Sequence, residues 1–501
     1  MDTASTGALF LGIDLGTGSV KGTLTTVDGD VVATTTRPVT VQRPQPGFVE
    51  MDATTQWWDT VCSIARELAD VADGRTVAAV GVSGLGPCLV MTGDDLEPLH
   101  PAILYGVDFR AEEQIASINA ALGAAAVFER CGKDLSSQAV GPKLAWVREQ
   151  LPEVWEKATR WFGSHSFVVA RLTGEWVLDH HTASQVDPFY DLAARDWAGD
   201  WIAELLGDLS LPRLGWPHEI AGHLRPDAAE ATGLPVGTPV VFGTVDAWAE
   251  AFSVGARRPG DLMLMYGSTM FMIQVLPSAA SSPGLWTTCG VEPDSYTLAA
   301  GMSAGGSLVT WTHDLVGGAP YDELISEARA IPPGSGGLLV LPYFAGERSP
   351  IYDASARGVV VGLTLEHGRG HLFRAAYEGV AHGIRQNLEV MAGVVGRPER
   401  VIAVGGGVQG GLWTQIVSDV LGVPQELPAV TVGASYGDAL LAAIGTGAVP
   451  PSTDWTRAAE IVRPDPDAAA LHDRFHESYR TLYPATREHM HAMAAAQQDG
   501  S

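Results

Sequence analysis

One pattern constrains this chain more than any other. An apolar strand, a tight turn of Gly, Ser and Thr, and a second strand occur near the start and again in the second half. The first copy runs Leu9-Phe10-Leu11-Gly12-Ile13 into Asp14-Leu15-Gly16-Thr17-Gly18-Ser19 and resumes from Val20. The second runs from Leu262 to Tyr266, through Gly267-Ser268-Thr269, and on from Met270 to Ile273. Glycine permits positive φ and close approach of a ligand to the backbone. Successive turn N–H groups form a concavity that binds anions, hydroxyls add donors, and Asp14 is a candidate holder of a divalent cation. Two such loops point to a nucleotide gripped between two similar domains. The lesser alternative for each loop alone is an ordinary β-hairpin.

Other properties narrow the partners. A chain of 501 residues exceeds one hydrophobic core, so two or three domains are expected. A formal charge of −27 argues against nucleic-acid and anionic-membrane partners. Cys62, Cys88, Cys131 and Cys289 lie far apart without a CxxC pair, as expected for buried thiols of a reducing cytosol. The first seven residues lack a basic and apolar leader, so no signal peptide is expected. No apolar run approaches the roughly 18–20 residues needed to span a bilayer. The expected location is the cytoplasm. Lysine occurs only at positions 21, 133, 143 and 157, and no Gly-Lys-Ser/Thr tripeptide exists. A nucleotide must therefore be held by backbone N–H groups, hydroxyls and a metal, not by a Walker A lysine.

Periodicity gives three antiparallel strands over residues 9–40, with a turn at Asp28-Gly29, then a helix from Ala53 to Ala72 with Trp57, Val61, Ile64 and Leu68 on one face. Buried strands follow at Val77–Val82 and Pro239–Phe242, and Arg257–Asp261 reads as a turn between halves. In the second half a strand pair and helix span Tyr296 to Leu315. Leu338–Pro342 is a strand, Leu372–Val395 a long helix, and Arg400–Val404 a buried strand before a helix from Leu412. Strands precede helices in both halves, so the expected class is α/β, a mixed sheet flanked by helices, built twice. The tail beyond Gln497 is expected to fray.

Asp246 is the leading catalytic candidate. It follows the strand Val240–Gly243 and precedes a helical run, where a carboxylate can take a proton from an attacking hydroxyl. The alternative is a helix N-cap. Gly405-Gly406-Gly407-Val408-Gln409-Gly410 fits GxGxxG, with Glu426 about 20 residues on, so an NAD-linked oxidoreductase is a rival. It fits equally a glycine turn that admits a flat adenine. The residues after Glu426 are too few for a complete Rossmann domain. A polyol or sugar pocket draws on Trp57, Trp58, Tyr105, Asp108, Arg110, Lys143, Trp146 and Trp248; each tryptophan alone is more often core. His180 and His181 read as loop surface and His165 as a buried, satisfied histidine.

The ordered set resembles the FGGY carbohydrate kinases over nearly the whole chain, and within that family is most similar to xylulokinases. The matching stretches are Gly12–Thr17, Gly47–Asp52 with Trp57-Trp58, Asp246, Gly267–Thr269, Phe344–Pro350, Arg357-Gly358 with Gly362-Leu363, and Gly405–Gly407 with Trp413, Gln415 and Asp419. The resemblance implies two actin-like (ribonuclease H-like) domains with the active site in the cleft between them, a sugar-binding domain over 1–248 and an ATP-binding domain over 249–501. It implies ATP and Mg²⁺ as cofactors and a small sugar or polyol as substrate, with room for a homodimer. By analogy Asp246 is the base. Asp14 acts through Mg²⁺, with Gly16 and Thr17 at the γ-phosphate. Gly267, Ser268, Gly306 and Thr310 lie along the nucleotide, and Gly406 and Gly407 at its adenine. Tyr105, Asp108 and Trp248 are the acceptor contacts. The chain departs from xylulokinases at Leu85-Gly86-Pro87-Cys88, where they typically carry Gln-Met-His-Gly, and at Tyr105, usually tryptophan. The acceptor is thus a pentulose, another ketose or a polyol. An actin-like ATPase without a sugar acceptor is the other rival.

Overall fold

The computed structural model describes residues 7–72 and 74–499. The expected absence of a leader concerns residues 1–7, of which only Gly7 is described; of the tail expected to fray beyond Gln497, residues 498 and 499 belong to the last helix and the other two lie outside the described residues. Five strands open the first half: β1 (Ala8–Leu15), β2 (Ser19–Thr26), β3 (Val31–Pro38), β4 (Thr76–Gly84) and β5 (Pro239–Val241). They lie side by side as β3-β2-β1-β4-β5. β1 is antiparallel to β2 and parallel to β4. The second half repeats the arrangement with β6 (Asp261–Tyr266), β7 (Met270–Leu276), β8 (Tyr296–Met302), β9 (Arg400–Val404) and β10 (Gln425–Pro428). Their order is β8-β7-β6-β9-β10, with β6 antiparallel to β7 and parallel to β9. The sheets are mixed, as expected, and the repeated loops join their first two strands.

Both faces of each sheet are covered, which explains why β1 and β4 read as nearly continuous apolar runs. Alternation still assigns the faces. Leu9, Leu11 and Ile13 pack toward α1 (Asp59–Val71), with Ile64 and Leu68. Phe10 points the other way, into a cluster shared with Ala79, Met263 and Ile402. That central cluster lies between the halves and contains α2 (Asp246–Ser253) and α6 (Ala434–Gly445). The other helices used below are α3 (Gly306–Leu315), α4 (Arg369–Val395), α5 (Leu412–Leu421) and α7 (Pro466–Asp499).

Helix α6 comes late in the chain yet packs on the first sheet, and its approach is set by glycine. A Cβ on Gly12 would lie 1.8 Å from the carbonyl oxygen of Ser435, and one on Gly81 2.2 Å from that of Asp438. A Cβ on Gly437 would lie 2.1 Å from the carbonyl oxygen of Ala249 in α2. Helix backbone therefore rests on strand backbone and on helix backbone, with no side chain between. Tyr436 Oη donates to the Gly29 carbonyl at 2.7 Å, and Lys21 Nζ to the Val432 carbonyl at 2.9 Å. These contacts fix α6 over the ends of β1 and β4.

The helix expected over Ala53–Ala72 begins with a wider turn at Ala53–Trp58, capped by Asp52, whose Oδ1 accepts from Thr54 and Thr55 N–H groups. The long helix starts three residues earlier than its periodicity suggested, at Arg369. Among the described residues no helix is long and apolar enough to cross a membrane.

Candidate functional site

The first loop turns at Gly16–Gly18, where the Gly16 N–H donates to the Ser19 carbonyl at 2.9 Å. The second turns the same way, the Gly267 N–H donating to Thr269 at 3.1 Å. Neither Gly16 nor Gly267 has positive φ. Their glycine character supplies space instead: a Cβ would sit 2.8 Å from Ser19 O at Gly16 and 3.1 Å from Thr269 O at Gly267. Gly18, Ser268 and Thr269 are exposed, leaving both turns open to a ligand.

The N-terminus of α3 docks on the second loop. The Gly306 N–H donates to Gly267 O at 2.8 Å, and the Gly305 and Ser307 N–H groups each donate to Ser268 O at 3.0 Å. The positive end of the helix thus lies at the loop, where anions are favoured. Thr310 is exposed one turn along α3. β9 runs into Gly405, which has φ +96°, and then into the turn Gly406–Val408. Nothing stands within 4 Å of where a Gly406 Cβ would be, whereas Gly407 closes on Trp413, 2.7 Å from a would-be Cβ. The result is a flat, open ledge. Glu426, the acid a dinucleotide fingerprint requires, is bound instead by Arg400, whose Nε donates to Oε2 at 2.6 Å. The oxidoreductase reading thereby loses its ribose ligand.

Asp14 ends β1 and faces α6, because it shares the sheet face of Gly12. Asp246 is the first residue of α2, not its cap; Val245 precedes the helix in extended conformation, and Asp246 Oδ1 accepts from the Ala247 N–H at 2.7 Å. The charge of Asp14 acts on Asp246. Burial, opposed by Lys21, lifts Asp14 to about 6. Burial first, then the charges of Asp14 and Glu250, lifts Asp246 well above the usual carboxylate range. Glu250, one turn along α2, is pushed to about 7 by burial and Asp14. Asp438 on α6 is raised well above its ordinary value by burial and, after a compensating Ser83 hydrogen bond, by Asp14 and Asp246. None of these four carboxyls has a salt-bridge partner among the described residues.

Such a group favours a cation. Among the described residues, no three His, Cys, Asp or Glu side chains lie close enough to cage a metal. A divalent ion here needs ligands from elsewhere. Magnesium is held this way, by one or two carboxylates with phosphate oxygens and water. Asp14 Oδ1, buried and without a hydrogen-bond partner, is a ligand atom that fits.

On the acceptor side, Tyr105 stands over Gly86, and its hydroxyl is lifted to about 12 by burial and by the charge of Asp246. Cys88 is buried, its thiol donating to the Gly86 carbonyl at 3.1 Å. The Gly106 N–H donates to Gln138 Oε1 at 3.2 Å, and Ser137 Oγ to Gly106 O at 2.9 Å. A cavity of about 430 Å³ opens between the halves, lined by Asp134 and Ser136 on one side and Trp286, Pro350 and Tyr352 on the other.

Asp108 and Trp248 already have partners within the protein, and one expectation, that for His181, is corrected. Asp108 has both oxygens engaged: Oδ2 accepts from the Val49 N–H at 2.6 Å and from Arg110 Nη2 at 2.8 Å, and Oδ1 from Arg110 Nε at 2.9 Å. It holds Arg110 and the Val49 backbone. Trp248 is buried between the halves, its ring against His181 and Phe271 and its Nε1 donating to Thr297 Oγ1 at 2.8 Å. It is a packing residue of the central cluster. His181 is not loop surface: it is buried in a short helix (His180–Ala183), with Nδ1 2.8 Å from Cys289 O across the halves. Adjacent imidazoles gave no sequence signal for this, since the Cys289 carbonyl lies 108 residues from His181. His165 is buried, with Nε2 3.0 Å from Asp179 Oδ2 as expected, but its Nδ1 is unpartnered. Glu250 and Asp438 were missed. Glu250 could have been found from its i+4 spacing to Asp246, and Asp438 as the lone charge in an otherwise apolar helix.

Comparison with known proteins completes the picture. Residues 9–253 match the model of the FGGY family of carbohydrate kinases, N-terminal domain, and residues 262–446 that of the C-terminal domain. Xylulose kinase of Escherichia coli (strain K12) is 30% identical over 486 residues, covering 95% of this chain and 98% of the relative. Glycerol kinase of Symbiobacterium thermophilum is 32% identical over 457 residues, covering 87% and 89%. The crystal structure of xylulose kinase from Rhodospirillum rubrum superposes with a TM-score of 0.89 at 33% identity, over 96% of this chain and all of that one.

Proposed function

This chain belongs to the FGGY family of carbohydrate kinases, and from that premise we propose how its residues share the transfer of a phosphoryl group from ATP to a small sugar. It is a xylulokinase-like, ATP-dependent sugar kinase with an actin-like fold in two halves. Residues 1–248 form the sugar side and residues 249–501 the nucleotide side. Phosphoryl transfer depends on positioning and charge stabilisation more than on covalent chemistry. The juxtaposition of Asp14, near the end of β1, and Asp246, at the start of α2, where burial and the charge of Asp14 raise Asp246, carries this reading.

Asp246 orients one primary hydroxyl of the acceptor and takes its proton as the oxygen attacks in line. Its raised proton affinity suits a general base working near neutral pH. Asp14 would hold Mg²⁺, which would supply charge neutralisation at the transferring phosphate. Gly16 and Thr17 face that phosphate from one side. Gly267 and Ser268 donate from the other, at the α3 N-terminus with Gly306 and Thr310. Gly406 and Gly407 take the flat adenine. Tyr105 bounds the acceptor pocket. The preferred acceptor is a pentulose; another ketose or a polyol is the second reading, favoured by the unusual wall from Leu85 to Cys88. The working enzyme is placed in the cytoplasm.

The test is ADP release from Mg·ATP across ketopentoses, ketohexoses, aldoses and polyols, with Asp246→Ala as control. Stimulation by one sugar, lost in the variant while ATP still binds, is the expected result. Near-normal turnover in Asp246→Ala refutes the base assignment. Basal ATPase that no sugar stimulates refutes the acceptor reading and favours an actin-like ATPase.

A further inference from the structure

The inference concerns Ser83 and the acid that holds it, and it rests on the roles given above to Asp14 and Asp246. Ser83 ends β4 and pairs with Asp14 on one flank. On the other flank it pairs with Thr244, two residues before Asp246. It is therefore the residue of the sheet that lies between the two acids. Its hydroxyl is bound not by its own half but by α6: Ser83 Oγ donates to Asp438 Oδ2 at 2.6 Å. Both residues are fully buried. The backbone contact at Gly81, where a Cβ would meet the Asp438 carbonyl at 2.2 Å, fixes the height of α6 above this spot. The second oxygen, Asp438 Oδ1, is buried and has no partner. A carboxyl placed beside two others, with half its hydrogen-bonding capacity unused, is costly to retain. A purely architectural contact would be served as well by an apolar residue.

We infer that Asp438 is a positioning residue for the transfer: from α6 it clamps Ser83 and so sets the separation of Asp14 and Asp246 across the end of the sheet. The clamp spans the two halves, so the geometry of the acids follows the position of α6 over the first sheet. Neither Asp438 nor Ser83 touches a reacting atom.

The experiment compares Asp438→Ala, Asp438→Asn, Ser83→Ala and the Asp438→Ala/Ser83→Ala double variant, using the full chain with Mg·ATP and the best acceptor of the panel. Misplacement of catalytic groups by about an ångström costs on the order of 100-fold. The two Ala variants should each lose about 10- to 100-fold in kcat, with KM for ATP and for acceptor within about twofold of the parent. The double variant should lose no more than the worse single one, as residues acting through one contact do. Asn, which can still accept from Ser83, should restore kcat to within about threefold. ADP binding measured by calorimetry checks that each variant is folded. A kcat within twofold of the parent in Asp438→Ala overturns the inference. So do additive losses, a change confined to KM, or an Asn variant as poor as Ala. Asp246→Ala in parallel separates the two claims: full turnover there removes the general-base reading, whereas the clamp is judged on the coupling between positions 83 and 438.

Discussion

Placing alanine at Gly437 tests the packing that positions the site. The position is helical and its φ is not positive, so in isolation alanine would be favoured there by about 1 kcal/mol. Its surroundings reverse the sign. The new Cβ would lie 2.1 Å from the Ala249 carbonyl oxygen and 3.3 Å from Ser253 Cβ. Ordinary contact begins at 3.4 Å, so α2 and α6 must separate by about 1.3 Å, the difference between 3.4 and 2.1. Overpacking of this kind costs about 1–3 kcal/mol, so after the helix-propensity gain a net loss of up to about 2 kcal/mol is expected. The larger effect is on turnover. Asp246 is the first residue of α2, and a shift of about 1 Å in a catalytic group costs on the order of 100-fold.

Gly393→Ala is the matched control. It too lies in a helix, near the end of α4, but a Cβ there meets nothing within 4 Å. Gly393→Ala should leave kcat unchanged and raise stability by up to about 1 kcal/mol. Gly437→Ala should lower Tm by a few degrees and kcat by about 10- to 100-fold. Thermal unfolding and steady-state ADP release decide the matter. Equal kcat in the two variants would show that the α2–α6 contact does not hold Asp246.

Three further outcomes follow from single contacts. His382, His472 and His476 are buried where α7 meets α4, with Arg374, Arg385, Glu389 and Asp473 around them, and burial lowers His472 to about 4 and His382 well below its usual value. The unfolded chain therefore binds protons first, so stability should be full above about pH 6.5 and fall as pH drops toward 4; Tm measured against pH should show this slope, and His472→Gln should flatten it. Arg110 bridges buried Asp108 and Glu50 at 2.8 Å each, so Arg110→Ala should cost about 3–5 kcal/mol in urea unfolding, and a loss below 1 kcal/mol would show the acids are not held as described. Trp248→Phe should lose about 1 kcal/mol with its bond to Thr297 while acceptor KM stays constant, whereas a tenfold rise in that KM would return Trp248 to the sugar pocket.

Much of this was readable from local pattern. The repeated strand–turn–strand units, the alternation that separates Leu9, Leu11 and Ile13 from Phe10, Gly12 and Asp14, and the position of Asp246 at a strand-to-helix junction are all properties of a few consecutive residues. What the sequence hid has one cause. Asp108, Trp248 and His181 each have a partner that residue type cannot disclose: Arg110 and the Val49 N–H, Thr297, and the Cys289 carbonyl. An acid or an indole in a likely pocket is available to a ligand only if its polar atoms are not already bound. Of the freedoms glycine offers, Gly16 and Gly267 do not use positive φ; the structure uses them for space.

The least legible feature is also the one on which the site depends. By sequence, α6 belongs to the second half, yet it forms the floor beneath the ends of β1 and β4 in the first. The reason the chain can be read as two repeats is that each half orders five strands in the same way within its own seven-stranded sheet. The reason the repeats cannot act separately is that the face of β1 bearing Gly12 and Asp14 is left without a cover until residue 434 arrives. Glycine at 12, 81 and 437 is what lets backbone meet backbone there. Because no side chain cushions those contacts, a movement of one half against the other reaches the acids with little loss. A cleft enzyme that must exclude water before it transfers a phosphoryl group gains from such a link, since the geometry of Asp14 and Asp246 is then completed by the closure that shuts the site.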